Sequence, residues 1–128
     1  MLGVGWQSKQ LGTPGEASGL CWSTYFGGSN GENVYAIDAD ALGNSFITGE
    51  TRSTEVTFPI SVGAAQPNYF GSQQCFVAKF RSDFLNEWTT YYGGSDNQSA
   101  YDIRIRDNNN IYICGATRSN DLTPGFKS

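Results

Sequence analysis

The sequence contains no histidine, few charged residues and no long hydrophobic run. Without histidine, a Ser-His-Asp triad and a histidine general base are both excluded. The eight Lys and Arg residues are scattered, and the net charge of −4 provides no basic stripe for nucleic-acid phosphates. No apolar run approaches the roughly 20 residues of a membrane-spanning helix, and no secretion signal is visible in the opening residues, MLGVGWQSKQ.

Cysteine is also scarce, with three residues at positions 21, 75 and 114. They form no CxxC pair and have no histidine to complete a zinc site, so we expect neither a metal nor a cofactor. Cys21, Cys75 and Cys114 are expected to be small buried residues on strands. A single disulfide with one thiol left over is the alternative.

The sequence is rich in glycine, with 16 residues, and in aromatic residues, at 14%. This composition favours short strands joined by tight turns. The chain also repeats itself, because residues 22–57 and 88–123 align without a gap and are identical at 15 of 36 positions. A fixed period of 66 residues indicates a structural unit that is used more than once.

We divide the chain into three parts on this period. Residues 1–20 form an N-terminal segment with partial outer strands, residues 21–87 form the first full repeat unit with a long connection at 50–74, and residues 88–128 form a second, incomplete unit. Alternating apolar residues predict strands at 4–9, 21–26, 34–39, 45–49, 75–80, 88–92, 100–105 and 111–115.

Within the strand VYAIDA, strict alternation separates Val34, Ala36 and Asp38 from Tyr35, Ile37 and Ala39. Four such strands per unit make a small antiparallel sheet with two apolar faces, which neighbouring sheets must cover. Radial stacking of these sheets is a β-propeller, which we favour over a β-solenoid. The predicted fold is therefore all-β, with about two four-stranded propeller blades.

The repeated motifs resemble the SBBP repeat, a bacterial β-propeller repeat. The motifs are WSTYFGGS and WTTYYGGS, the hairpin YAIDADALGNSFITG, and the strand CFVAKF. The second copy departs from the pattern, since Arg104 and Arg106 replace Asp38 and Asp40 and Asn109 replaces Gly43. The resemblance implies a propeller fold and a surface or secreted location, and it implies a function only loosely.

A set of repeated residues is expected to be structural, with tryptophan packed between blades and tyrosine covering sheet edges. Glycine is expected to adopt positive φ at the tight exit from each outer strand. This set comprises Trp22, Tyr25, Gly27, Gly28, Trp88, Tyr91, Gly93 and Gly94. A sugar-stacking role for the tryptophans is the alternative.

The segment DADALGN carries oxygen ligands at short spacing, which raises the possibility of a calcium site. The twelve-residue calcium loop with its terminal Glu is missing, and the second copy has arginines at the matching positions. A hairpin turn containing Gly43 is therefore favoured.

Alternate connections of an up-and-down sheet emerge on opposite faces. The Gly-Gly-Ser loops (27–33 and 93–99) should therefore share one face with the long connection, and the turns at 40–44 and 81–87 should share the other. Because rigid scaffolds present functional loops, any ligand is expected on the first face. The candidate residues there are Arg52, Ser53, Asn68, Tyr69, Phe70, Arg118 and Ser119. A purely structural role for Thr-Arg-Ser is favoured over ligand contact.

The predicted function is that of a non-catalytic module for recognition or scaffolding, with a protein or glycan as ligand and other propeller blades as partners. Carboxylates such as Glu32, Glu50, Glu55 and Asp83 show no pairing, although a propeller hydrolase or lyase is the alternative. Two blades cannot close a ring. A fragment of a larger propeller is favoured over a closed homo-oligomer of about three or four copies.

Overall fold

The computed structural model describes residues 2–6, 22–107 and 110–122. These residues form eight strands and their connections, with no helix among them. Accordingly, none of the described segments contains a helix that could cross a membrane. The strands are β1 (Leu2–Trp6), β2 (Trp22–Phe26), β3 (Glu32–Ala39), β4 (Ser45–Thr51), β5 (Gln74–Phe80), β6 (Asn86–Tyr92), β7 (Gln98–Arg106) and β8 (Asn110–Thr117).

Strands β3 to β6 form one four-stranded antiparallel sheet in chain order, which is a complete blade. Before it, β1 pairs with β2, and after it, β7 pairs with β8. The all-β prediction and the eight strands are confirmed, although positions 7–9 of the first predicted strand and Cys21 lie outside the described residues. The sheet spans residues 32–92, so it is offset from the 21–87 sequence unit.

The two faces of the central sheet pack against different neighbours. One face contributes Ile47, Phe76 and Phe80 to a buried cluster that includes Phe26 of β2. The opposite face contributes Phe46 and Val77, which pack against Ile103 and Ile105 of β7. Burial of each such side chain is worth about 1.5–3 kcal/mol. The central sheet is therefore held between two half-sheets.

Burial along β3 alternates as predicted, with Val34, Ala36 and Asp38 less exposed than their neighbours, but a β-bulge interrupts the pairing between Val34 and Ala36. Val34 pairs with Gly49 and Ile37 pairs with Ile47, so Val34 and Ile37 share a face and Tyr35 is the extra residue. β7 has its bulge at the equivalent place, and Tyr101 is the extra residue there. A bulge re-aims one side chain, and here the re-aimed side chain is tyrosine in both copies.

The long connection between β4 and β5 folds back over β6. The Ser61 amide donates to the Thr89 carbonyl at 3.1 Å, and the Tyr91 amide donates to the Gln66 carbonyl at 3.2 Å. Phe58 from this connection stacks on Tyr91, with ring centroids 5.5 Å apart. The connection thereby covers the outer edge of the sheet, which would otherwise expose unpaired amides and carbonyls.

The hairpin turn between β3 and β4 is confirmed and is held by Asp40. Its carboxylate accepts hydrogen bonds from the Leu42 and Asn44 amides, both at 2.9 Å, and from Asn44 Nδ2 at 2.7 Å. Gly43 has a φ of 83°. The carboxylate of Asp40 is therefore occupied by its own turn. Ser82, in the next turn, donates its amide to Asn44 Oδ1 at 3.2 Å, so the two turns share one face as predicted.

The two repeated tryptophans, Trp22 and Trp88, pack at sheet interfaces as predicted. Trp22 stacks on Phe84 with ring centroids 5.2 Å apart and meets Phe80 edge-on. Trp88 meets Phe46 edge-on at 6.2 Å and packs on the cluster that includes Ile103. Both tryptophans are partly buried.

The expected edge role of tyrosine is wrong for Tyr91, which is fully buried beneath the long connection. Its hydroxyl donates to the Ser53 carbonyl at 2.8 Å. Tyr25, at the equivalent position of the first copy, is 77% exposed.

Candidate binding surface on the loop face

The loop that leaves β2 is fastened to the end of β4 by a hydrogen-bonded latch. The Ser53 amide donates to Thr51 Oγ1 at 2.9 Å, and both hydroxyls donate to Glu32 Oε1. The Asn30 amide donates to Ser53 Oγ at 2.9 Å. Thr51 and Ser53 are fully buried, so these hydrogen bonds form away from solvent. We call Thr51 and Ser53, with their counterparts Thr117 and Ser119, the Thr-x-Ser latch.

The second copy repeats the latch. The Ser119 amide donates to Thr117 Oγ1 at 3.0 Å, and the Asp96 amide donates to Ser119 Oγ at 2.9 Å. Gln98 takes the position of Glu32 and donates through Nε2 to Ser119 Oγ. The Thr-Arg-Ser sequence therefore joins the end of an inner hairpin to the loop that enters the same sheet. The hydroxyls of Ser53 and Ser119 serve this structure.

The positive φ predicted for the repeated glycines is found at Gly27, and the second glycine of each pair has a different role. Among the four, Gly27 has a positive φ, of 144°. At Gly28, a Cβ atom would lie 2.5 Å from Ser53 Cβ, and at Gly94 it would lie 2.7 Å from Ser119 Cβ. The second glycine of each pair is thus required because the latch serine packs directly against its backbone. This contact places the Gly-Gly-Ser loops and the Thr-Arg-Ser segments on one face, as predicted.

The other predicted ligand residues are spread over this face rather than gathered in one site. Arg52 is exposed and donates from Nη2 to Gln73 Oε1 at 3.2 Å, and Arg118 is also exposed. Tyr69 packs edge-on against Tyr91 at 5.6 Å, and its partial burial raises the pKa of its hydroxyl. Asn68 and Phe70 are exposed beside it.

Polar side chains from β3, from β7 and from the end of the long connection meet around Glu50 of β4, at the inner end of the loop face. Glu50 accepts hydrogen bonds from Asn33 Nδ2 at 3.0 Å, from Gln73 Nε2 at 2.8 Å and from Ser99 Oγ. Partial burial acts to raise the pKa of the Glu50 carboxyl, but hydrogen bonds from Ser99, Asn33 and Tyr35 outweigh it and lower the pKa overall. The contact with Ser99 of β7 also joins the central sheet to the next one.

Tyr35 and Tyr101 lie beside this polar group on β3 and β7, the first strands of their sheets. Both side chains are about half exposed, and their rings meet edge-on with centroids 5.6 Å apart. Each is the extra residue of its bulge. Opposite the bulges, Gly49 and Gly115 are so close to β3 and β7 that a Cβ atom would lie 1.9 Å and 2.0 Å from a carbonyl oxygen. The tyrosines therefore stand on a closely packed backbone.

Sequence reasoning missed this polar and aromatic group as a binding surface. The sequence places Tyr35 and Tyr101 at matching positions of the 66-residue period, which by itself does not indicate that their side chains meet. The available signal was the glycine that recurs as Gly49 and Gly115, because glycine inside a strand often marks a bulge on the neighbouring strand. The polar partners could not be found from sequence, since Gln73, just before β5, and Ser99 of β7 reach Glu50 from distant parts of the chain.

The cysteines differ from one another in their surroundings. Cys75 is buried on β5, as predicted, and burial raises the pKa of its thiol to about 12. Cys114 lies on β8 and is exposed, so its predicted burial is wrong. Both are free thiols.

Comparison with known families agrees with this geometry. Residues 22–55 match the family model SBBP, described as a beta-propeller repeat. The matched segment of the SBBP repeat runs from β2 through the Gly-Gly-Ser loop and the inner hairpin to the latch at Thr51 and Ser53. No curated protein matches the chain at a significant level.

Proposed function

We propose that this chain is a non-catalytic propeller-type recognition module and that it binds a glycan at the inner end of its loop face. The observation that supports this is the pair of exposed tyrosines, Tyr35 and Tyr101, on equivalent bulges of neighbouring inner strands. The first strand of each blade borders the central channel of a propeller. Tyrosine offers a large, rigid and amphipathic contact surface at low cost in conformational entropy.

The polar groups next to the tyrosines suit a ligand that carries many hydroxyls. Asn33, Glu50 and Gln73 are mutually oriented by hydrogen bonds, and Arg52 extends this group toward the rim. Binding sites commonly combine apolar or aromatic contact area with a few fixed polar groups. A sugar matches both parts, with its C–H face against a ring and its hydroxyls toward the amides and the carboxylate.

The inner-strand carboxylates favour binding over catalysis, because each is already engaged in the structure. Asp38 accepts from the Ile105 amide at 2.7 Å, which lowers the pKa of its carboxyl, while Asp102 pairs with Arg104 at 2.6 Å. Glu50 is held by three side chains. A hydrolase or lyase requires an acid and a base whose pKa values are driven apart and which share one ligand.

A glycan array with the purified protein, followed by titration calorimetry on the best ligand, tests the proposal. Tyr35→Ala and Tyr101→Ala should each weaken binding by about tenfold or more, as expected for aromatic anchors of about 1–2 kcal/mol. The control is Leu85→Ala, an exposed position in the turn on the opposite face, which should bind like the wild type.

Three results would contradict the proposal. The first is that the folded protein binds no glycan on the array and binds a protein instead. The second is that the tyrosine variants bind the glycan as tightly as Leu85→Ala does. The third is that shorter sugars are released from the bound glycan and that Glu50→Gln abolishes this release. This result would show that the protein is an enzyme.

A further inference from the structure

Among the described strands, the free edges of β8 and β1 match each other. Within the described residues, β8 pairs only with β7, and β1 pairs only with β2. By the 66-residue period, β8 is the counterpart of β4. β1 takes the place of β5, because Gly3 pairs with Tyr25 as Phe76 pairs with Tyr91. In the complete blade, β4 pairs with β5. β8 and β1 are the counterparts of these two strands, and each is without this partner among the described residues.

One molecule cannot join its own two edges. The half-sheet β1–β2 packs on one face of the central sheet, and β7–β8 packs on the other face. The central sheet therefore lies between the two edges. A second copy of the chain can bring its β1 to the open edge of β8 without moving either half-sheet.

Exposed side chains show where that second copy would pack. Ile37 is 45% exposed, whereas its counterpart Ile103 is fully buried in the cluster with Phe46. The counterpart of Phe46 is Tyr112 on β8, which is 60% exposed. When β8 of another copy completes the sheet that holds β1 and β2, its Tyr112 packs against Ile37. This contact is equivalent to the packing of Phe46 against Ile103.

Tyr25 shows the same complementarity. Its counterpart Tyr91 is fully buried and donates its hydroxyl to the Ser53 carbonyl. The counterpart of Ser53 is Ser119, which follows β8. A copy whose β8 pairs with β1 would bring its Ser119 carbonyl into reach of the exposed Tyr25 hydroxyl.

We propose that copies of this chain associate head to tail, with β8 of one copy paired antiparallel to β1 of the next in a sheet ordered β7-β8-β1-β2. The register follows from the complete blade. Thr48 pairs with Val77, so Cys114 pairs with Val4. Each copy offers one edge of each kind, and head-to-tail contacts close into a ring. Each copy supplies the equivalent of two blades, so a propeller of about four to eight blades contains about two to four copies.

The register gives a direct test that uses the native Cys114. In a Cys21→Ser background, Val4→Cys should form a disulfide with Cys114 of another copy under mild oxidation, because directly opposed strand residues lie within disulfide reach. Non-reducing gels should show a ladder of multiples of 13.9 kDa, and the highest rung counts the copies. The matched control is Gly5→Cys, which should not cross-link, since neighbouring strand residues face opposite sides.

A second measurement keeps the test decisive if Val4→Cys folds poorly. Light scattering should give the unmodified protein a mass of about two to four chains. Tyr112→Glu should lower that mass to one chain of 13.9 kDa with an unchanged circular dichroism spectrum. Leu85→Glu, at an equally exposed position away from both edges, should leave the assembly intact. A monomeric wild-type chain overturns the proposal, as does cross-linking at Gly5→Cys but not at Val4→Cys.

Discussion

Replacement of Ser53 by alanine should destabilise the protein far more than its small size suggests. Ser53 is fully buried, and its hydroxyl donates to Glu32 and accepts from the Asn30 amide. A hydrogen bond to a charged group contributes about 1.5–3 kcal/mol, and an ordinary one contributes about 1 kcal/mol. Because the hydrogen bond to the carboxylate dominates, we expect Ser53→Ala to lower the free energy of unfolding by about 2–3 kcal/mol.

Urea denaturation followed by tryptophan fluorescence measures this loss. With a slope of about 2 kcal/mol/M, the midpoint should fall by about 1–1.5 M urea at an unchanged slope. The control is Ser29→Ala in the same loop, whose exposed hydroxyl lies 3.1 Å from Thr57 Oγ1. Exposed substitutions of this kind stay within about 0.5 kcal/mol of the wild type.

The second copy of the latch supplies a further arm of the experiment. Glu32→Gln introduces the residue that Gln98 already provides at the equivalent position, and it keeps an oxygen that can accept from Ser53. In the Glu32→Gln background, Ser53→Ala should lower the free energy of unfolding by only about 1 kcal/mol. The difference from the loss in the wild type is a coupling energy between Ser53 and Glu32 of about 1–2 kcal/mol. A Ser53→Ala loss no larger than that of Ser29→Ala, or a coupling energy near zero, would refute the role of the latch.

Three further predictions concern the loop face and the core. The folded-state pKa of Glu50 is lowered, so its contribution to stability is present above the ordinary value of 4.5 and is lost as the pH falls through the folded value. The difference in thermal midpoint between wild type and Glu50→Gln should therefore shrink between pH 7 and pH 3, and a constant difference would contradict this. Gly28→Ala should lower the free energy of unfolding by more than about 2 kcal/mol, because its Cβ would lie 2.5 Å from a latch serine. The control Gly31→Ala, with nothing within 4 Å of its Cβ, should be near neutral by urea denaturation. Equal effects of the two substitutions would contradict the packing argument. Cys75 should resist maleimide in the native protein and react in urea, because it is buried with a thiol pKa of about 12, and rapid native labelling by mass spectrometry would disprove this.

The strands and their grouping into blades could be predicted because they depend on local and periodic signals. Alternation of apolar residues located all eight strands, and the recurrence of WSTYFGGS defined the period. The position of the loops on one face followed from the up-and-down connectivity. The binding surface could not be predicted in the same way, because Glu50 meets Asn33, Gln73 and Ser99 only after the strands have paired and the sheets have packed.

Identical residues at equivalent positions mark the limit of what the sequence alone determines. Tyr25 and Tyr91 share the same motif, yet Tyr91 is buried and Tyr25 is exposed. Their position on equivalent strands of an all-β repeat could be predicted, since backbone preference and alternation act within a few residues. Their burial is set by tertiary packing, because it depends on which segment packs over a strand, and that segment comes from a distant part of the chain.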